Sequence, residues 1–276
     1  MSGTSMHTDI TIPIVRVAWG ALVAAIIAAG SAGLRVLTPG GAIAAFLVGT
    51  TAMAAGWKWG VTLAVFFVSS VALTRIGSAT KLARAAGRID KPGARDAAQV
   101  VANGGVFALG ALAAVLTRQP VLVAAALGAL AAATGDTWAT EVGILSTEEP
   151  RSFPSFDKVA AGMSGGVTTA GLLAGVAGAA AIALCGHLLS IDHAAPVAVA
   201  AGGTAGMLFD SILGAVAQSE RWCDACGAKT ERVIHDCGTR TRHVRGISWL
   251  RNDGVNALAT LSGAAVAGAV AWRGVR

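Results

Sequence analysis

The sequence predicts an all-α fold: a polytopic transmembrane helix bundle of about eight spans, six at the fewest, with long cytoplasmic loops. Three observations predict it. The chain is 54% hydrophobic and 13% charged, with a mean hydropathy of +0.66, which excludes a soluble domain of this length. Its apolar residues run in unbroken stretches near the twenty residues that ~30 Å of hydrocarbon demands. They do not alternate as barrel strands do, so no strands are expected. Finally, 36 glycines, abundant alanines and no tyrosine suit close helix–helix contact through small side chains. One integral membrane domain, residues 1–276, is the expected organisation. The lipid bilayer is its expected partner; nucleic acid is not. The run after Ile14 is too long for the core of a cleaved leader and has no basic segment before it.

In chain order the apolar segments lie at about 14–34, 39–56, 58–76, 97–117, 120–137, 159–186, 194–217 and 254–272. The second and fifth are short, and the long sixth reads as tilted or broken. Charge tests the count. With eight spans, the loops after segments one, three, five and seven share a side that holds sixteen of the 21 basic residues. Only Arg16, Lys58, Arg118, Arg273 and Arg276 fall on the other. The positive-inside rule places the rich side in the cytoplasm and makes the cytoplasmic membrane the expected location.

Residues 131–166 hold the chemistry. The run Val121–Ala133 flows into Thr134, Gly135, Asp136, Thr137, Trp138, Ala139, Thr140 and Glu141, so two carboxylates and three threonines end a helix otherwise suited to lipid. An ionised side chain at bilayer depth costs roughly 2.5–3.5 kcal/mol on insertion scales, so packing alone is a poor reason for two of them. The plainer reading is a helix end whose side chains reach the interface. Pro150, Arg151, Pro154 and Lys158 follow as a rigid basic turn, and Gly162-Met163-Ser164-Gly165-Gly166 stands at the mouth of the next apolar run. Acid, base and a glycine-rich helix start together suit a metal-bound phosphate.

Other residues extend the pattern. Arg95, Gln99 and Asn103 share one helical stripe running from the first basic loop into the bilayer. They suit phosphate oxygens or a ribose, or else hydrogen bonds between helices. Lys81, Arg84 and Arg88 in that loop suit anionic headgroups equally well. Asp210, Gly214 and Gln218 repeat the four-residue spacing, and Asp210 lies deep in an apolar run, where it needs neutralising, a partner or a cation. Asn252 and Asn256 share a face with Asp253 beside them. Asp136, Glu141, Asp210 and Asp253 thus form a candidate magnesium set, since hard oxygen donors select that ion and leave positions for phosphate.

Cys223-x2-Cys226 precedes His235 and Cys237 in one polar loop, the ligand types of a structural zinc knuckle, though His-x-Cys is tighter than usual. Free thiols or a redox pair are the alternatives. Cys185, alone in an apolar run, reads as a buried small hydrophobe.

The blocks QVVANGG, GDTWATEVG with LSTEEPRSF, GMSGGVTTAG, FDSILGAVAQ, the CxxC loop with HDCG, and WLRNDGVNALAT together resemble the integral membrane family that contains phytyl-phosphate kinase. They run in order from about Lys81 to Ala264. The commonest form of the central block begins Ala-Asp-Thr, where this chain has Gly135 before Asp136, a feature that resembles phytol and dolichol kinases. The resemblance implies phosphoryl transfer from a nucleoside triphosphate, often CTP, to an isoprenoid monophosphate. On that reading Asp136, Glu141 and Asp210 hold magnesium with Asp253 as a further ligand, and Asn103 orients a phosphate. Arg95, Gln99, Arg151, Lys158, Ser164, Gly165, Gly166, Gln218, Asn252 and Asn256 bind phosphate or nucleotide. A polyprenol or phytol kinase, a CTP-dependent cytidylyltransferase and an ion-coupled transporter are the rival expectations.

Overall fold

The computed structural model describes residues 14–275, except 86, 87, 89–92 and 192. Lys91 of the first basic loop and Arg276 lie outside the described residues. Eight apolar helices form the bundle: α1 (Ile14–Gly33), α2 (Pro39–Ala55), α3 (Trp57–Arg75), α5 (Ala97–Thr117), α6 (Pro120–Gly143), α7 (Thr169–Leu188), α8 (Pro196–Val216) and α9 (Asn252–Val275). A short helix, α4 (Ser78–Arg84), lies in the first basic loop. Seven of the eight are long and apolar enough to cross a membrane, while the 17 residues of α2 reach only about 25 Å. The protein is a polytopic helical membrane bundle.

Local chemistry sets the helix starts. Thr38 accepts from the Gly41 amide at 3.0 Å, with Pro39 as the first residue of α2. Asp96 and Gln99 form a reciprocal capping box at the start of α5, and Thr168 caps α7 through the Gly171 amide. Gly56 alone joins α2 to α3 at φ +146°, a backbone conformation that only glycine adopts without strain.

α6 is the central helix, buried without interruption from Ala126 to Gly135 and packed against α5, α7, α8 and α9. Small residues make this possible. A Cβ at Gly128 would meet Ala267 Cβ at 2.4 Å, and one at Gly203 would meet Ala131 Cβ at 2.6 Å.

The structure corrects three expectations. The fifth apolar segment is not short, because α6 continues through Asp136 and Glu141 to Gly143, its acids following the helical register of the run before them. The helix of the sixth apolar segment, α7, starts at Thr169, not near 159, so Gly162–Gly166 is no helix start. It is a turn leading into β2 (Gly166–Val167), which pairs antiparallel with β1 (Arg151–Ser152). Short strands do occur, all in the loops. β3 (Glu220–Cys223) pairs with β4 (Ala228–Thr230) and with β5 (Arg242–Arg245). They are too short and too polar to carry an apolar pattern.

The loops after α1, α3, α6 and α8 meet at one end. Leu37 and Arg95 form a parallel bridge, Arg84 donates to the Leu145 carbonyl at 3.3 Å, and the Glu231 amide donates to the Arg88 carbonyl at 3.1 Å. That gathering requires α2 to traverse the bundle despite its length.

Candidate functional site

Beneath the gathered loops lies a cavity of about 850 Å³, within the range of small-molecule sites. α6 supplies Asp136, Thr137, Thr140 and Glu141 to its wall, and α8 supplies Asp210 and Ser211. The carboxyl groups of Asp136 on α6 and Asp210 on α8 lie beside one another at the wall, and Asp210 Oδ2 is buried with no hydrogen-bond partner. Two carboxylates so placed need a shared proton or a cation between them. Among the described lining residues there are six carboxylates (Asp136, Glu141, Asp210, Glu231, Asp236, Asp253) and three cations (Lys81, Arg95, Arg232). A chain of net charge +6 has therefore built an acidic cavity.

Glu141 has a different setting from the two aspartates. Its Oε1 accepts from Thr74 Oγ1 at 2.6 Å and its Oε2 from Lys81 Nζ at 2.6 Å, so both oxygens are engaged. Here it is the counter-ion of Lys81. Burial pushes the Arg95 guanidinium below its usual range, opposed by the Glu141 carboxylate. Arg95 also reaches Thr74 Oγ1 at 3.4 Å. The Gln99 side-chain carbonyl accepts from the Asp96 amide at 3.1 Å to close the α5 capping box, and the residue lines the cavity.

The turn Gly162–Gly166 lies against the end of α8. Gly165 has φ +76°, and a Cβ there would lie 2.4 Å from the Ala215 amide nitrogen. Glycine is required on both counts. Ser164 is tied to the Cys-containing loop, since its amide donates to Glu231 Oε1 at 3.2 Å and its hydroxyl donates to the same oxygen.

Of the residues singled out from sequence, Arg95, Gln99, Asp136, Glu141, Ser164, Gly165, Gly166, Asp210, Asn252 and Asp253 line the cavity together. Asn103, Arg151, Lys158, Gln218 and Asn256 do not. Lys158 pairs with Glu149 on the exposed surface, holding the Glu149 carboxyl below its ordinary range, and Arg151 donates to the Phe156 carbonyl at 2.9 Å. Gln218 is buried beside a small separate pocket, and Asn256 is buried within α9. The hydroxyls of Thr134 and Thr137 bond back to the helix at Leu130 and Ala133. Gly135 has a packing role, since a Cβ there would lie 3.0 Å from the Gly175 carbonyl.

Sequence reasoning missed Thr74, Ser211, Glu231, Arg232 and Asp236, and assigned no site role to Lys81. Lys81 read as one of several headgroup-facing bases; only its burial against Glu141 sets it apart. Nothing in the local sequence marks Glu231 or Asp236, which reach the cavity because their loop folds back over it.

In that loop Cys223, Cys226, His235 and Cys237 each offer a ligand atom, and these atoms all lie within 4.8 Å of one another. Cys223 is buried and the other two thiols are exposed. Hydrogen bonds from Thr239, through side chain and backbone, draw the Cys237 thiol down to about 6. Cys226, through its hydrogen bond with Cys237, is pushed up to about 11.

Comparison with known proteins places these features in a wider group. The model of a family described as integral membrane protein DUF92 matches residues 22–264. Protein PGR of Arabidopsis thaliana is 32% identical over 91% of this chain and 94% of its own length. A membrane protein of Synechocystis is 32% identical over 84% of this chain and 82% of its own. One of Methanocaldococcus jannaschii is 38% identical over 58% and 66% respectively. No solved structure matches the chain.

Proposed function

Because the chain belongs to the DUF92 family of integral membrane proteins, we propose that it is a membrane kinase. It transfers the terminal phosphoryl group of a nucleoside triphosphate, CTP by preference, to an isoprenyl monophosphate of phytyl or geranylgeranyl type, giving the diphosphate. The observation that carries this reading is the facing pair Asp136 and Asp210 in an acidic cavity that also holds Lys81 and Arg95. Among the described lining residues, three cations against six carboxylates cannot hold polyphosphate unaided, whereas the same carboxylates become an asset once a divalent ion stands between them and phosphate.

The donor set fits magnesium: it is all oxygen, and Asp210 Oδ2 is a buried acceptor without a partner. Asp136 and Asp210 would hold the ion, with Asp253 at the same wall. Bound there, magnesium supplies neutralisation of phosphate charge. The protein's own residues do the rest. Arg95 and Lys81 would serve phosphate oxygens as fixed cations at the cavity wall, Lys81 being held in place by Glu141 and by the Leu73 carbonyl at 2.5 Å. The Ser164–Gly166 turn, tied to Glu231 through Ser164, shapes another part of the wall. Leu82, Ile144 and Leu172 give the cavity an apolar side suited to an isoprenyl chain.

In the reaction, an oxygen of the acceptor phosphate bonds to the terminal phosphorus of the donor as the bond to the bridging oxygen breaks, releasing the nucleoside diphosphate. An ionised phosphate attacks without a strong base, so positioning and charge neutralisation suffice. The sixteen-to-five split of basic residues supports a cavity open to the cytoplasmic side of the cytoplasmic membrane, where the nucleotide is.

The test is transfer from nucleoside triphosphate labelled at the terminal phosphate, using purified protein and a panel of isoprenyl alcohols and monophosphates. The expected result is labelled isoprenyl diphosphate with release of nucleoside diphosphate. Labelled monophosphate from the alcohols would make it a polyprenol kinase, pyrophosphate release would make it a cytidylyltransferase, and ion-driven uptake without nucleotide would make it a transporter. Any of these would overturn the proposal.

A further inference from the structure

The loop between α8 and α9 has too little apolar substance to hold its own shape. Its sheet has strands of four, three and four residues, and β5 is exposed along its whole length. Isolated sheets this small are marginal in water, and small units without a core are usually stapled by disulfides or metal. Among the described residues there is no disulfide; all four cysteines are free thiols. Yet the loop holds a definite place. Arg245 Nη1 donates to the Ala215 carbonyl at 2.7 Å, the Ile247 amide to the Ala217 carbonyl at 2.8 Å, and Glu231 closes on Ser164.

Two tight turns bring the four ligand types together. In the first, the Gly227 amide donates to the Cys223 carbonyl at 2.9 Å, with Gly227 at φ +60°, so that Cys223 and Cys226 face inward from one knuckle. In the second, the His235 amide donates to the Thr239 carbonyl at 3.0 Å and the Gly238 amide to the His235 carbonyl at 2.8 Å, with Gly238 at φ +80°. That turn is why a His-x-Cys pair, one residue apart, can present two side chains to the same point. Cys223 Sγ and Cys237 Sγ are 3.6 Å apart. Two sulfurs about 2.3 Å from one tetrahedral zinc lie roughly 3.8 Å apart, whereas a disulfide needs about 2.05 Å. His235 Nδ1 is buried without a hydrogen-bond partner. A disulfide would use two of the four groups and leave that nitrogen orphaned; one ion uses all four.

We propose that Cys223, Cys226, His235 and Cys237 bind one zinc ion, which clasps the loop so that Glu231 and Arg232 form part of the cavity wall. Three thiolates and an imidazole are soft donors in a closed set, which selects zinc over magnesium or calcium and marks the site as structural. Glu231 and Arg232 lie in the eight-residue span between the two ligand pairs, so fixing both pairs fixes their carrier. The clasp does not depend on which reaction the cavity performs.

The experiment reads metal before any activity. Elemental analysis of the full chain, purified in detergent from zinc-replete cells, is expected to give about one zinc per chain. Cys226→Ser and Cys237→Ser, both at exposed positions, are expected to lose it while retaining helical content and elution volume. If those variants fail to fold, release of zinc from the unmodified protein by a mercurial, followed with a chelating dye, gives the stoichiometry without them. No zinc in replete protein, another metal in its place, or zinc retained in both folded variants would overturn the site. The clasp is read by limited trypsin digestion. Zinc removal is expected to speed cleavage after Lys229, Arg232 and Arg240 at least tenfold, with the helices left uncut. Unchanged cleavage after complete zinc loss would overturn the positional role.

Discussion

Lys81 Nζ lies 2.6 Å from Glu141 Oε2, an ion pair that spans 60 positions of sequence and leaves the two side chains only 10% and 17% exposed. It fastens α4, in the first basic loop, to the last turn of α6, and it fixes one wall of the cavity. Removing one partner of a pair this buried leaves an uncompensated charge, at about 3–5 kcal/mol, whereas replacing both by apolar residues is often near neutral.

Lys81→Met alone should therefore lower the thermal midpoint of the detergent-purified protein, and Lys81→Met with Glu141→Leu should recover most of the loss. Heat treatment followed by size-exclusion chromatography measures both. A double variant less stable than the single would mean the pair itself drives the docking of α4.

Asp136→Asn and Asp210→Asn keep side-chain shape and remove the charge a divalent ion needs. Each should reduce phosphoryl transfer by about 10²–10³, the scale of a lost preorganised electrostatic contact. Folding should survive, because one charge of a facing pair has been taken away. A double variant that still forms product at near the original rate would end the magnesium assignment.

Arg95 and the pair Arg151 and Lys158 separate what sequence and structure imply. Arg95 lines the cavity, whereas the other two are exposed and engaged elsewhere. Arg95→Gln should lower kcat/KM by about 10–100-fold, the value of a charged hydrogen bond of roughly 1.5–3 kcal/mol. Arg151→Gln and Lys158→Gln should change it less than about twofold. Steady-state kinetics with the phosphate acceptor varied distinguishes the two sets, and the reverse ranking would move the phosphate site to the β1–β2 loop.

Gly165→Ala puts a Cβ 2.4 Å from the Ala215 amide nitrogen and 2.6 Å from its Cα, at φ +76°. Both neighbours are helix backbone, so nothing flexible can give way. About 1–3 kcal/mol of strain should push the 162–166 turn off α8 and lower activity. Gly30→Ala, which meets nothing within 4 Å, is the control and should be silent in the same thermal and activity assays.

Sidedness is testable because the ends of the bundle are defined. Cysteines at Ser78 and Ser155 should react with an impermeant maleimide only from the cytoplasmic face, and one at Thr117, the last residue of α5, only from the other. The signal is read above that of the unsubstituted protein in right-side-out and inverted vesicles. Labelling of Ser78→Cys and Ser155→Cys from opposite faces would break the eight-helix arrangement.

The sequence by itself determined the eight apolar helices, most of their limits, and the two acidic stretches around Asp136 and Asp210. Burial in hydrocarbon is a one-dimensional constraint: it needs about twenty apolar residues in a row, so span count and buried charge are legible from composition along the chain. It also brought together the ligand types Cys223, Cys226, His235 and Cys237, because short spacings survive folding. Tertiary structure alone decided that Asp136 meets Asp210, that Glu141 serves Lys81, that Glu231 closes on Ser164, and that Arg151 and Lys158 stay outside. These contacts join segments far apart in sequence, and the meeting of Asp136 with Asp210 rests on how closely α6, α7 and α8 pack through Gly135, Gly175 and Gly203. Helical spacing says which residues share a face of one helix; only packing fixes which faces of different helices meet.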